Sequence, residues 1–138
     1  MTGPEIYLAF DYGTVNIGVA VGQKVTKSAT VLSALKSKNR VIPWEQIDKL
    51  ISNWYPSALV VGVPHTVDGK DLKITVLARQ FISQLQLRYS LPVYEVEEML
   101  TTKSARAEIF NKGGYKALQN ESVDSFAAKI ILEAWMNG

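Results

Sequence analysis

Asp11, the pair Glu97-Glu98 and Asp124 are acids that lie far apart along the chain, each at the boundary of an apolar segment. Asp11 follows Ile6-Tyr-Leu-Ala-Phe10, Glu97 and Glu98 follow Leu91 to Val96, and Asp124 opens the last apolar-striped segment. Carboxylates that converge on one edge can hold one or two Mg²⁺ or Mn²⁺ ions, which activate a water and stabilise the leaving oxygen in phosphodiester hydrolysis. That hard-oxygen chemistry needs neither thiolate nor imidazole; the chain has no Cys, and His65 is its one His. Cysteine nucleophiles, thiolate metal sites and disulfides are thereby excluded. Each group also has a plainer explanation when taken alone. An Asp shortly before Gly13 suits a turn, Glu95-Val-Glu-Glu98 suits an exposed strand end, and Asp124 suits the positive end of a helix dipole. His65, just after an apolar run, suits a loop.

Convergence depends on the elements that carry these acids. Ile6–Phe10, Asn16–Val21 and Ala29–Leu35 are apolar runs joined by short connections, which predicts three antiparallel strands in succession. Pro43 suits a first helical position, and Trp44, Ile47, Leu50, Ile51 and Trp54 keep helical spacing up to Pro56. Ala58–Val63 is continuously apolar, as in a parallel strand covered on both faces. Ile74, Leu77, Ala78, Phe81, Ile82 and Leu85 mark one face of a second helix, and Leu91–Val96 is a short strand. Thr101 or Thr102 caps a third helix that stops at Gly113-Gly114, and Ser122 caps a fourth with the stripe Val123, Phe126, Ala127, Ile130, Ile131 and Ala134. The order is βββαβαβαα, an α/β class. Crossover connections place the fourth and fifth strands beside the first, giving a five-stranded mixed sheet flanked by helices. This order resembles that of ribonuclease-H-like domains. Asp11 and Glu97-Glu98 would then leave the carboxyl ends of strands at one rim, where open α/β sheets place their sites.

Composition sets the wider limits. The chain has 138 residues, 47% hydrophobic and 20% charged, which predicts one globular domain over 1–138. No stretch is long and apolar enough to span a bilayer, and Met-Thr-Gly-Pro-Glu lacks the basic and apolar regions of a signal peptide, so no membrane partner is expected and a cytoplasmic chain is. The net charge of +2 is only mildly basic. Its distribution is uneven: Lys103, Arg106, Lys112 and Lys116 face only Glu108, and Lys24, Lys27, Lys36, Lys38 and Arg40 form a run without an acid. Such runs are either solvated faces or nucleic-acid contacts.

Phe10-Asp-Tyr-Gly-Thr14 with Ile17-Gly-Val-Ala20 resembles the opening of the YqgF-type proteins, a family related to bacterial Holliday-junction resolvases and described as a pre-16S rRNA nuclease. The likeness continues through Val61-Gly-Val-Pro64, Asp68-Gly69 and Glu97-Glu-Met-Leu-Thr-Thr102. It closes with Gly113-Gly-Tyr-Lys-Ala-Leu118, Val123-Asp-Ser125 and Ile130-Ile-Leu-Glu133. The resemblance implies a ribonuclease-H-like fold and a nuclease, dependent on Mg²⁺ or Mn²⁺, that matures the 5′ end of 16S rRNA and associates with ribosomal precursors. It maps the family's acids onto Asp11, Glu98 and Asp124 as catalytic and metal-holding residues, with Glu97 in the preceding acidic place. Lys103 and Arg106, just after Glu98, are then candidates for substrate phosphates, as are Lys112 and Lys116 beside the Gly113-Gly114 hinge. Several cations or donors of the family pattern are missing: Val15, Met99, Thr66 and Asn120-Glu-Ser122 stand where relatives often carry Lys, Arg, Asn and Lys-Gly-Lys. Each loss removes a possible phosphate contact. These losses motivate an alternative, a nucleic-acid-binding module without turnover; a Holliday-junction-type DNA resolvase is another. Asp11-Tyr-Gly-Thr14 also resembles the first phosphate loop of actin-like and sugar-kinase-like ATPases, but those bind nucleotide between two lobes, and no second Asp-Gly-Gly-Thr-like loop is present.

Overall fold

The structure is a computed structural model that describes residues 5–64, 72–98 and 123–138. Its centre is one five-stranded sheet built from β1 (Ile6–Asp11), β2 (Asn16–Gln23), β3 (Ser28–Lys36), β4 (Ala58–Pro64) and β5 (Val93–Glu98) in the order β3-β2-β1-β4-β5. The first three strands pair antiparallel, whereas β4 and β5 run parallel to β1. Three helices accompany it among the described residues: α1 (Trp44–Trp54), α2 (Lys73–Tyr89) and α3 (Val123–Asn137). This is the expected mixed sheet and element order, save that the helix expected after Thr101 lies outside the described residues.

Side-chain alternation along each strand decides what the two faces can bury. Leu8, Phe10, Ile17, Val19, Leu59, Val61 and Val63 form one core with Ile47 of α1 and Ala78, Phe81 and Leu85 of α2. Phe81 is its hub, with the ring centroids of Phe10, Tyr12 and Trp44 at 5.7, 5.2 and 6.0 Å. The opposite face carries smaller residues, Ala9, Ala20, Ala58 and Val60, against Ala128, Ile131 and Leu132 of α3. Each large aliphatic or aromatic side chain buried this way contributes roughly 1.5–3 kcal/mol. Small residues on the second face let α3 lie close to the sheet, and that closeness positions the site.

Boundaries differ from the sequence expectation in two places, at Pro43 and at β5. Pro43 is the N-cap and not the first helical residue of α1, because its ψ of 71° lies outside the helical region. α2 continues a turn beyond Leu85 to Tyr89, held by the two-pronged pair of Arg88 with Asp48 of α1 at 2.9 and 2.8 Å. That guanidinium and the Tyr89 hydroxyl hold the Asp48 carboxyl at a pKa of about 2. Most consequentially, β5 runs from Val93 to Glu98 and not from Leu91 to Val96, since pairing with β4 persists through Val63–Glu97 and Pro64–Glu98. The two acids are therefore the last residues of the strand, and alternation assigns them to opposite faces.

Candidate active site

β1, β4 and β5 are parallel, so their carboxyl ends share one edge. Asp11 is the last residue of the central strand, only 6% exposed, on the face that α3 covers. Its partners across the sheet are both glycines, Gly18 on β2 and Gly62 on β4. Neither is there for flexibility. A Cβ at Gly18 would overlap the carbonyl of Asp124, and one at Gly62 would overlap the Glu98 carboxylate and the Ile131 side chain. The bare backbone at Gly18 admits the first turn of α3, and that at Gly62 leaves room for a second carboxylate beside Asp11.

Glu98 is that second carboxylate. It shares a face with Val96 and is 7% exposed, whereas Glu97 lies on the other face and is exposed. Strand alternation thus separates the two neighbouring acids that the sequence left side by side. The Glu98 carboxyl stands within hydrogen-bonding reach of Asp11. Among the described residues, no N–H or O–H reaches its buried Oε2. Two ionised carboxylates are both acceptors, so they can bond only through a shared proton or a bridging cation. Burial raises the Asp11 pKa well above the ordinary carboxylate range, and the neighbouring charges of Glu98 and Asp124 raise it further. Burial raises Glu98 as well. Both shifts favour the protonated form, so the pair holds a proton to higher pH than separate surface acids do.

Asp124 sits half-buried in the first turn of α3, close enough for its charge to act on Asp11. The adjacent Ser125 is buried, and its Oγ accepts a hydrogen bond from the Val19 N–H at 3.1 Å. That bond pins the helix to β2 one residue from Gly18. Sequence reasoning missed Ser125, Gly18 and Gly62. A lone glycine inside an apolar strand is a signal of close backbone approach, but which atoms approach depends on the sheet register. For Ser125 no comparable signal exists.

The three acids named from the sequence therefore meet at one sheet edge, Asp11 and Glu98 in contact and Asp124 beside them. Among the described residues, however, no three His, Cys, Asp or Glu close around one point as a complete metal cage. The fit to Mg²⁺ is of another kind: this ion is commonly held by one or two carboxylates and keeps several of its waters. An orphaned carboxylate oxygen against a second carboxyl is such a donor set. Lys103, Arg106, Lys112 and Lys116 lie outside the described residues, as do His65, Thr66, Met99 and Asn120-Glu-Ser122. Val15 is described and is 67% exposed in the β1–β2 connection next to the site, an apolar side chain on its rim.

Comparison with known proteins gives the setting. Residues 5–138 match the sequence model of a family described as "RuvX: Holliday junction resolvase". A protein of Haemophilus ducreyi named "Putative pre-16S rRNA nuclease" is 47% identical over 130 residues, which cover 94% of each chain. Among solved structures, the fowlpox virus Holliday junction resolvase aligns with a TM-score of 0.57 at 14% identity, covering 96% of this chain and 97% of that one. Thermus thermophilus RuvC in complex with a Holliday junction substrate aligns at 0.54 and 14% identity, covering 96% and 93%. At such low identity the two structures speak for the fold alone, the ribonuclease-H-like fold expected from the order of elements. Among the described residues, no helix is long and apolar enough to cross a membrane. The sequence match over almost the whole chain, together with the near-half identity to a nuclease-named relative, means that this chain belongs to the RuvX family of resolvase-like nucleases.

Proposed function

We propose that the chain hydrolyses RNA phosphodiester bonds at the Asp11–Glu98 edge with a divalent cation, and that its substrate is the 5′ end of the 16S rRNA precursor in the cytoplasm. One observation carries the proposal: a buried carboxylate oxygen of Glu98 that no donor reaches among the described residues, set against the buried carboxyl of Asp11. Leaving that oxygen unsatisfied costs stability, and a cation offsets the cost. RNA is favoured because the relative at 47% identity is named for pre-16S rRNA, whereas the likeness to junction resolvases at 14% speaks only for the fold.

Asp11, Glu98 and Asp124 are the residues that would hold Mg²⁺ or Mn²⁺. When bound, the ion activates the attacking water and stabilises the departing 3′ oxygen. The protein's own part is to fix the donors beforehand. β1 and β5 are braced by β4 between them, and Ser125 fixes the helix turn that bears Asp124. Burial of Asp11 and Glu98 strengthens their pull on a cation by excluding water from around them. Raised pKa values at Asp11 and Glu98 mean that protons and a cation would compete for the same carboxylates.

Alternation along β5 supplies the test. Glu98→Gln is expected to lower the metal-dependent cleavage rate by more than about 10³, beyond the roughly 10–100-fold typical of outer-shell changes. Glu97→Gln, on the opposite face, is expected to stay within roughly threefold of the parent, since exposed substitutions away from a site change little. Rates on a labelled 16S leader RNA, with folding checked by circular dichroism, decide it. Equal losses in the two variants would remove the assignment to Glu98.

A further inference from the structure

The acid-free basic run from Lys24 to Arg40 is divided by the fold. β3 separates Lys24 and Lys27 from Lys36, Lys38 and Arg40 by nine residues, roughly 25–30 Å of strand. Lys24 and Lys27 lie at the end remote from Asp11, and Lys24 is already paired with Glu5 at 3.3 Å. Lys36, at the other end, is the partner of Asn16, two residues beyond Gly18 on β2, and Gly18 is the partner of Asp11. The pairing gives Lys36 the same sheet face as Asp11, about 12 Å away, two strand spacings across and one pleat further along.

Beyond Lys36 the chain forms a tight two-residue turn. The Val41 N–H donates to the Lys38 carbonyl at 2.9 Å, and Asn39 and Arg40 have φ of 53° and 63°. Two successive positive φ values are the signature of a hairpin turn normally built with Asn-Gly. Asn39 suits its place. Arg40 does not, since glycine adopts this conformation without the clash an L side chain suffers. Arg40 thus holds this place at a backbone cost while its side chain stands exposed beside Lys38. Lys36, Lys38 and Arg40 are exposed, and among the described residues none has an ion-pair or hydrogen-bond partner for its charged head. Alongside runs a groove of about 410 Å³ lined by Lys36, Lys38, Val41, Ile42 and Trp44, with Glu45 as the one acid in its lining. Cations beside an apolar, partly aromatic groove are what an unpaired nucleotide needs, its phosphate on the former and its base in the latter.

We propose that Lys36, Lys38 and Arg40 with this groove form a binding surface for single-stranded RNA flanking the bond to be cut, leading the strand across the carboxyl edge of the sheet towards Asp11. The proposal rests on the nuclease reading above. Its test reads binding, not cleavage: affinity of the wild-type protein for a short fluorescently labelled single-stranded RNA, in EDTA, over a series of salt concentrations. Each phosphate contact on a single strand contributes about 0.7 to the slope of log K against log salt. The triple variant K36A/K38A/R40A is expected to lower the slope by about 2 and to weaken binding at least tenfold. The matched variant K24A/K27A is expected to leave both within error. Arg40→Gly is expected to weaken binding while keeping or raising the thermal midpoint, because it relieves the turn. Unchanged slope in the triple variant, or an equal fall in K24A/K27A, would overturn the surface. Failure of wild type to cleave RNA with Mg²⁺ or Mn²⁺ would instead strike the nuclease reading, so the two failures are separable.

Discussion

Asp11→Asn is expected to reduce metal-dependent cleavage by about 10³ or more, roughly 4 kcal/mol of barrier, and to stabilise the metal-free protein at the same time. The two effects have one cause. Asp11 is buried beside Glu98 and close to Asp124, so ionising it in the folded state is unfavourable and its pKa is raised. A carboxyl whose folded pKa is raised contributes stability that is fully present below its unfolded value and is lost as pH rises through the folded value. The metal-free wild type should therefore weaken as pH climbs above the ordinary carboxylate range, and the Asn variant should weaken less. Near neutral pH the gain is about 1 kcal/mol, the usual size for relieving a strained functional position, or roughly 3–5 °C in thermal midpoint. The difference between the two proteins should shrink towards low pH, where the wild-type pair is protonated. Mg²⁺ or Mn²⁺ should reverse the order by stabilising the wild type more than the variant. Thermal scans at several pH values, with and without metal, read all three effects. A variant less stable than wild type in EDTA would contradict the account of the pair.

Gly18→Ala is expected to be among the most destabilising single-methyl additions in the chain, costing about 3 kcal/mol, the upper end of overpacking penalties, or roughly 10 °C. The added Cβ would overlap the main-chain carbonyl of Asp124, and a carbonyl in a pinned helix turn cannot rotate aside. Gly22→Ala is the fitting comparison: its Cβ would overlap only Met136 Cε, the free end of a flexible side chain, at 2.8 Å, and would touch Leu132 Cδ2 and the Ser28 carbonyl tightly at 3.0 Å, so a smaller loss of about 1 kcal/mol is expected. Whatever fraction of Gly18→Ala folds should hold Asp124 farther from Asp11 and cleave more slowly than its folded population accounts for. Chemical denaturation of the two variants, followed by rates per folded molecule, checks both parts. Equal stability losses would mean that α3 does not rest on β2 at Gly18 as described.

Much of the fold was legible because the strands bury what they carry. Ile6–Phe10 and Ala58–Val63 are apolar throughout and lie covered on both faces, so local hydropathy sufficed to find them. The end of β5 was not legible, because Glu97 and Glu98 extend the strand by pairing with Val63 and Pro64, and charge hides that continuation from hydropathy. The error mattered, since only as strand residues do the two acids separate by face. The same limit governs Gly18 and Gly62. Each reads locally as a small residue in a strand; its meaning comes from lying opposite Asp11, a pairing between segments some 50 residues apart in the case of Gly62. The acids themselves were legible by position at strand and helix ends. Ser125 was not, because its role is to accept one backbone N–H from a strand 106 residues away.

The most direct test of the central claim is cleavage of a labelled RNA spanning the 16S 5′ leader by wild type and Asp11→Asn, prepared identically, in Mg²⁺, Mn²⁺ or EDTA. Discrete products from the wild type with either metal, and none in EDTA or from Asp11→Asn, are the expected result. Products that persist in EDTA, or that Asp11→Asn makes at the wild-type rate, would contradict the assignment of the Asp11–Glu98 edge as a metal-dependent nuclease centre.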